Sequence, residues 1–430
     1  MKQDETESLS IPAASEHYAT SKAEEVDMPT TGSKVYVIDK WLLGRMLEAA
    51  GNPPLRVVLW DGQEVTTSQS TPVARVFILD RGGLLKLVIN PDLYFGELYS
   101  AGRIQVEGDL VDVMETIDQA LPDFRHRSLW TKLIARLYLL RRNTISRARD
   151  NIYHHYDISN DFYRLWLDSQ MVYTCAYFPR PTLSLEEAQI AKMDHVCRKL
   201  RLRPGEEVVE AGCGWGSLAL HMARHYGVKV KAYNISKEQL AYARERAGRE
   251  GLDDRVEYIE GDYREIKGNF DAFVSVGMLE HVGPHHYRQL GEVIDHCLKE
   301  KGRGLIHSIG RNRPAPMNTW IEKYIFPGGY PPSLSEMMNI FEPWNFSILD
   351  VENLRLHYAM TLRHWLERYE AAADHVVDMF DPAFVRAWRL YLAGSIATFA
   401  TGEGQLFQIL FTRFNNNEIP WNREYIYTYR

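Results

Sequence analysis

The 430-residue chain predicts an α/β protein: a doubly wound, mostly parallel sheet in the larger C-terminal part, with a smaller α+β unit before it. Three observations carry this. From residue 206 onward, β-branched apolar runs alternate with helical stretches, the pattern that parallel sheets require. A glycine-rich turn, Gly212-Cys213-Gly214-Trp215-Gly216, directly follows the first of those runs. Composition is ordinary for a globular protein, at 45% hydrophobic and 25% charged, and a chain of this length buries enough apolar surface to fold without disulfides.

In chain order, residues 1–33 are rich in Ser, Thr, Glu and Asp and predict a flexible tail. Residues 34–123 predict the N-terminal α+β unit, with strands at 56–62 and 74–80 that are β-branched and end in turn residues. The following FGELYSAGRIQVEGDLVDVMETI is expected to be mainly helical, and no catalytic constellation is visible in this unit. Residues 124–150 change character. Arg125, Arg127, Lys132, Arg136, Arg141, Arg142, Arg147 and Arg149 stand among Trp130, Leu133, Ile134, Leu137, Tyr138 and Leu140 at helical spacing, with no acid before Asp150. Such a helix either lies on an anionic bilayer or links two domains with a solvated charged face. Residues 151–430 then alternate: strands at 206–211, 229–236, 256–262, 270–277, 303–310, 346–354 and 407–414, with helices at 217–226, 237–250, 285–299 and 358–372.

Several classes are disfavoured. With 50 Lys+Arg against 57 Asp+Glu, a net charge of −7 argues against nucleic-acid binding. No run of apolar residues is long enough to span a bilayer. The polar, acidic start MKQDETESLSIPAAS is unlike a secretory signal, so a cytoplasmic location is expected. Cys175, Cys197, Cys213 and Cys297 form no Cys-x-x-Cys pair and are expected to be buried reduced thiols. His281, His285 and His286 lack the acid or cysteine that would complete a metal site, and no metal is expected.

Ligands of such sheets bind beyond the carboxyl ends of the strands. There the first strand ends in Glu210, before Gly212, Gly214 and Gly216. Position 217 is Ser where a dinucleotide fingerprint needs Gly, and Ala232-Tyr233-Asn234 lacks the acid that would take a ribose hydroxyl, so NAD is disfavoured. A Gly-x-Gly-x-Gly loop behind an acidic strand end suits S-adenosylmethionine, whose amino group wants an acceptor and whose carboxylate can use helix amides. Asp262 and Tyr263 at the third strand tip would take the adenine amino group and stack on its ring.

Cys175 in YTCAYF, Glu280 in VGMLEHVG, His307 in LIHSIG and Tyr358 in LHYAMTL complete a pattern. With HYDISNDFYRLWLD, GCGWG, WIEKYIFPGG and HYAMTLRHWLERY, the chain resembles the cyclopropane-fatty-acyl-phospholipid synthase family, which includes the mycolic acid cyclopropane synthases. The resemblance covers nearly all of 151–413. It implies a Rossmann-like class I methyltransferase sheet and methylene transfer from S-adenosylmethionine to a cis double bond of an unsaturated phospholipid acyl chain. It also implies a bound bicarbonate as base, held by Cys175, Glu280, His307, Tyr358 and the backbone of Ile309, with cofactor contacts at Tyr173, Thr174, Gly212, Gly214, Gln239, Asp262 and Tyr263. Tyr173, Tyr177 and Tyr358 are expected to face the developing cation with their rings. The insertion around Trp320, Tyr324, Phe326 and Pro327 is expected to cover an acyl channel. Peripheral association with the inner face of the membrane and a homodimer complete the expectation.

The chain departs from the family in places. Glu210, Asn234 and Thr174 stand where the family usually has Asp, Thr and Ser, exchanges expected to tune cofactor fit. In the family's helix near 391–395, Ser395 replaces a common cysteine, and an arginine that commonly follows that helix is missing from 400–403. Methyl-branched or methylene products, methylation of a small amine or hydroxyl, and non-catalytic lipid binding are the competing readings.

Overall fold

The computed structural model describes residues 34–121 and 159–427. The tail at 1–33 and the basic stretch at 124–150 lie outside the described residues.

The N-terminal unit runs α1 (Val37–Ala49), β1 (Leu55–Leu59), β2 (Glu64–Val65), β3 (Ala74–Ile78), α2 (Arg81–Ile89), α3 (Pro91–Ser100), β4 (Ile104–Glu107) and α4 (Leu110–Ala120). Its sheet order is β2-β1-β3-β4, with β1 and β3 parallel. Side-chain caps set the helix starts. Asp80 accepts from Gly83 N–H, Asn90 from Leu93 N–H ahead of Pro91, and Asp109 from Val111 N–H. The segment expected to be mainly helical is split by β4, where Ile104 and Val106 point inward between half-buried Gln105 and exposed Glu107. That period of two pairs antiparallel with β3.

The larger part runs α5 (Asn160–Arg164), α6 (Leu185–Lys199), β5 (Glu207–Ala211), α7 (Ser217–Tyr226), β6 (Lys229–Asn234), α8 (Lys237–Glu250), β7 (Val256–Glu260) and β8 (Phe270–Val276). It continues with α9 (Tyr287–Cys297), β9 (Leu298–Arg311), α10 (Thr319–Tyr324), α11 (Leu334–Phe341), β10 (Phe346–Asn353), α12 (Arg355–Ala371), α13 (Ala373–Met379), α14 (Pro382–Thr401), β11 (Gly404–Arg413) and α15 (Glu424–Tyr427). The sheet order is β10-β11-β9-β8-β5-β6-β7. Strands β9, β8, β5, β6 and β7 are parallel, while β11 is antiparallel to both β9 and β10. The order reverses between β5 and β8, so the crevice for a ligand opens above those two strand ends.

Helix α14 has no counterpart in the periodicity of the sequence because it is apolar nearly all round. Val385, Trp388, Leu390, Tyr391, Leu392, Ile396 and Phe399 are all buried, which leaves no polar stripe to read. It packs against α12, α3 and α4, and one hydrophobic cluster runs from Leu43 and Leu98 of the N-terminal unit through Trp166 and Trp365 to Tyr391. The two units therefore share a core. Two further clusters cover the faces of the large sheet.

Candidate active site

Three adjoining hollows open at the carboxyl ends of the parallel strands. The first, about 800 Å³, is lined by Tyr173, Thr174, Lys192, Glu210, Gly212, Cys213, Gly214, Trp215, Asn234, Gln239, Met278 and His281, among others. Strand β5 delivers Glu210 and the glycine turn. Gly214 adopts φ +55°, and a Cβ there would meet nothing within 4 Å, so the backbone lies open to the hollow. Gly216 serves a different purpose from the one expected. It does not line the hollow; it caps α7 at φ +85°, where any Cβ would strike Tyr258, whose hydroxyl donates to Gly216 O at 2.9 Å. Asn234 ties the rim together, its amide donating to Gly214 O at 3.1 Å and to Gln239 Oε1 at 2.8 Å.

Glu210 is 2% exposed, and its Oε2 has no hydrogen-bond partner. Burial pushes its pKa up to about 8, against the pull of Lys192. An unpaired buried carboxylate oxygen beside open glycine backbone fits a ligand that brings an ammonium group, as S-adenosylmethionine does.

The second hollow, about 530 Å³, shares Gly212, Asn234, Met278 and His281 with the first and adds Tyr233, Gly261, Asp262, Tyr263 and Arg264. Asp262 is not free-standing: Arg264 grips it with Nε at 2.6 Å and Nη2 at 2.8 Å, and donates its own N–H at 3.0 Å. That fork fixes the carboxylate plane at the strand tip.

The third hollow, about 590 Å³, gathers the residues expected to hold an anion. Cys175, Glu280, His307, Ile309 and Tyr358 line it together, with Tyr173, Thr174, Gly277, His281, Met317 and Phe326. Glu280 Oε1 accepts from Ile309 N–H at 2.6 Å, so the Ile309 backbone reaches an anion only through that carboxylate. Glu280 Oε2 has no hydrogen-bond partner, and the nearby Ser308 hydroxyl donates to Ile309 O at 3.0 Å. Burial lifts Glu280 to about 7, while its own backbone N–H, the Ile309 N–H and the Ser308 hydroxyl oppose the rise. His307 is 2% exposed and, chiefly through burial, depressed to about 3, hence neutral. Its Nδ1 lies 3.1 Å from Gln408 Nε2, and its Nε2 has no partner. With the amide donating to Nδ1, the ring carries its proton on Nε2, facing an acceptor. One buried N–H donor and one buried carboxyl oxygen, both unpaired, fit a small oxyanion such as bicarbonate.

Cys175 donates its S–H to Ala176 O at 3.0 Å, and burial pushes the thiol well above its ordinary range, as befits a packed group rather than a nucleophile. All four cysteines are buried and unpaired with one another. The aromatic expectation divides. Tyr173 and Tyr358 line the third hollow, whereas Tyr177 does not; it stacks between His195 and His357 at 4.1 and 4.9 Å. The insertion divides too. Phe326 lines the hollow, but Trp320 is buried against Gly96 of α3, and Tyr324 and Lys323 both bond Glu97.

Three residues near the site escaped sequence reasoning, Lys192, Arg264 and Gln408, and a fourth, His281, was weighed only as a metal ligand. His281 lines all three hollows, and burial lowers it to about 4. Its place in Leu-Glu-His, one residue past Glu280, was the available signal. Lys192 and Gln408 sit on buried faces with no motif to mark them.

A family model described as mycolic acid cyclopropane synthetase matches residues 143–409, and one described as a domain of unknown function matches 42–128. A probable fatty acid methyltransferase of Pseudomonas putida is 36% identical over 386 residues, covering 87% of this chain and 96% of its own. The cyclopropane-fatty-acyl-phospholipid synthase of Escherichia coli (strain K12) is 42% identical over 260 residues, covering 60% of this chain and 66% of its own. Among solved structures, the mycolic acid cyclopropane synthase CmaA1 complexed with SAH and CTAB superposes with a TM-score of 0.59 at 29% identity, covering 62% of this chain and 98% of that one.

Proposed function

The chain belongs to the mycolic acid cyclopropane synthetase family, and from that premise we propose that it transfers a methylene group from S-adenosylmethionine to the cis double bond of an unsaturated phospholipid acyl chain. One observation carries the finer reading. Glu280 Oε2 and His307 Nε2 are buried and unpaired in an otherwise largely apolar hollow that adjoins the cofactor hollow through Tyr173, Thr174, Gly277 and His281. Bound S-adenosylmethionine supplies an electrophilic methyl group.

The protein's own residues account for the rest. The alkene's π electrons form the new carbon–carbon bond as the carbon–sulfur bond breaks, which leaves a cation on the acyl chain. The rings of Tyr173 and Tyr358 present negative faces to that charge. His307 Nε2–H and the Glu280 carboxyl would hold a bicarbonate-sized anion in this hollow, and such an anion would supply the base that ring closure requires. Phe326 and Met317 keep water from the cation.

In the same reading, residues 34–123 and the linker at 124–150 present the protein to the bilayer while 151–430 carries the chemistry. The enzyme then works peripherally at the inner face of the membrane, as a homodimer. Among the described residues no helix is long and apolar enough to cross a membrane. The Pseudomonas putida relative's name favours one alternative, a methyl-branched or methylene product of the same transfer.

The test is mass spectrometry of vesicles carrying cis-monounsaturated phospholipid, incubated with protein and S-adenosylmethionine. A gain of one CH₂ as a ring, lost in Glu280→Ala, is the expected result. A methylene or branched chain moves the assignment to the alternative, and unmodified lipid overturns both.

A further inference from the structure

The first hollow contains one lysine or arginine among its lining residues, Lys192 of α6, and no motif drew attention to it. Lys192 is 2% exposed, and its Nζ donates to Thr174 Oγ1 at 2.9 Å. That bond uses one of the three ammonium protons. The neighbouring charges are Asp168, 1% exposed, whose carboxylate is taken up by Val172 and Gln170 N–H at 2.9 Å each, and Glu210, which lines the same hollow. Helix α6 holds the whole Val172–Tyr177 segment from this side. Gln189 Nε2 donates to Thr174 O at 2.9 Å, and Ala188 O accepts from Tyr177 N–H at 3.1 Å.

Two consequences follow from ordinary hydrogen-bond bookkeeping. An oxygen that accepts from an ammonium cannot turn its own proton toward that ammonium, so the Thr174 hydroxyl proton points elsewhere, and the hollow is the side it lines. A buried cation and an unpaired buried carboxyl oxygen also stand on the walls of one cavity, a pattern that matches an amino-acid zwitterion.

We propose that Lys192 is a positioning residue that makes this end of the hollow select the zwitterionic amino-acid tail of the cofactor. It turns the Thr174 hydroxyl toward the tail's carboxylate and sets a positive charge behind it, while Glu210 takes the tail's ammonium. The proposal rests on the S-adenosylmethionine assignment and adds to it the residue that reads the tail.

The test is calorimetric binding of two probes to the full chain: S-adenosylhomocysteine, which has the tail, and 5′-methylthioadenosine, which lacks it. Lys192→Met and Thr174→Val are each compared with the unmodified protein, with thermal melts to show that the variants fold. The loss of one charge-assisted contact predicts that Lys192→Met binds S-adenosylhomocysteine about tenfold or more weakly. Binding of 5′-methylthioadenosine should stay within about twofold, and Thr174→Val should show the same selectivity to a smaller degree. Equal weakening toward both probes would mean that Lys192 merely supports the fold, and unchanged binding would mean that it plays no part; either overturns the proposal. If the unmodified protein binds neither probe, the cofactor assignment itself falls and takes this proposal with it.

Discussion

Burial moves the titration of Glu280 up and of His307 down, so the carboxyl gains protonated form near neutrality and the imidazole stays neutral well into the acid range. Glu280 is raised to about 7 from an ordinary 4.5, so keeping it ionised above neutrality costs folding energy. Glu280→Gln retains an oxygen for the Ile309 N–H and removes the buried charge. At pH 8 it should raise stability by an order of ~1–3 kcal/mol while abolishing product, which a melt and a product assay on the same sample would check. A lower melting point would show that the carboxylate is already compensated. His307 depends on Gln408, its direct cross-strand partner between β9 and β11. Gln408→Leu leaves Nδ1 unpaired at a cost of about 1–3 kcal/mol and frees the proton to move there. The turnover rate should fall while KM for S-adenosylmethionine holds, and nitrogen chemical shifts should report a changed His307 tautomer.

Elements place these residues by contacts that single side chains reveal. Helix α10 of the insertion meets α3 of the N-terminal unit where Gly96 leaves room for the Trp320 ring; a Cβ would lie only 2.5 Å from it. Gly96→Ala should therefore destabilise by about 1–3 kcal/mol through overpacking. The second change Trp320→Leu should recover part of that loss, giving a nonzero coupling in a double-mutant cycle. Additive losses would separate the two helices energetically. Because α10 leads directly into Phe326, the single Gly96 variant should also turn over lipid more slowly. The aromatic packing of α5 is similarly decisive: Phe162 has edge contacts with Trp166, Tyr369, Phe384 and Trp388 at 5.0–6.3 Å, joining α12 and α14 behind the site.

Over the whole molecule, buried titratable groups set how stability follows pH. His281, His307 and His357 are depressed by burial to about 4, 3 and 4, and His195 and His364 move the same way. Their unfolded forms bind protons first, so this contribution is present above about 6.5 and is lost as pH falls. Glu210 and Glu280 are raised to about 8 and 7, so their contribution is present below 4.5 and is lost as pH rises through those values. The opposing slopes predict a maximum in melting temperature near pH 6.5, with a fall on both sides, measurable by calorimetry across buffers. In Glu280→Gln the alkaline fall should be shallower. The shared hydrophobic cluster further predicts one cooperative transition rather than separate melts for the two units.

Local chemistry made much of this protein legible before folding. The β-branched runs fixed β5 to β8, the Gly-x-Gly-x-Gly turn behind Glu210 marked the cofactor end, and α7 and α8 fall at 217–226 and 237–250 as periodicity predicted. These features depend on neighbours in sequence, through φ/ψ preference and alternating burial, and so can be read from sequence. The ordered motifs likewise named Cys175, Glu280, His307 and Tyr358 as a set. Only the tertiary structure decided what those groups face. It put Gly216 against Tyr258, withdrew Tyr177 into a histidine stack, turned Arg264 back onto Asp262, and brought Lys192 and Gln408 to the site from segments that carry no signature. Periodicity also missed α14, which apart from Arg386 and Arg389 is apolar nearly all round. The physical reason is that desolvation and hydrogen-bond partnership arise between residues distant in the chain. Gln408 and His307 are separated by 101 positions and touch only because β9 and β11 pair.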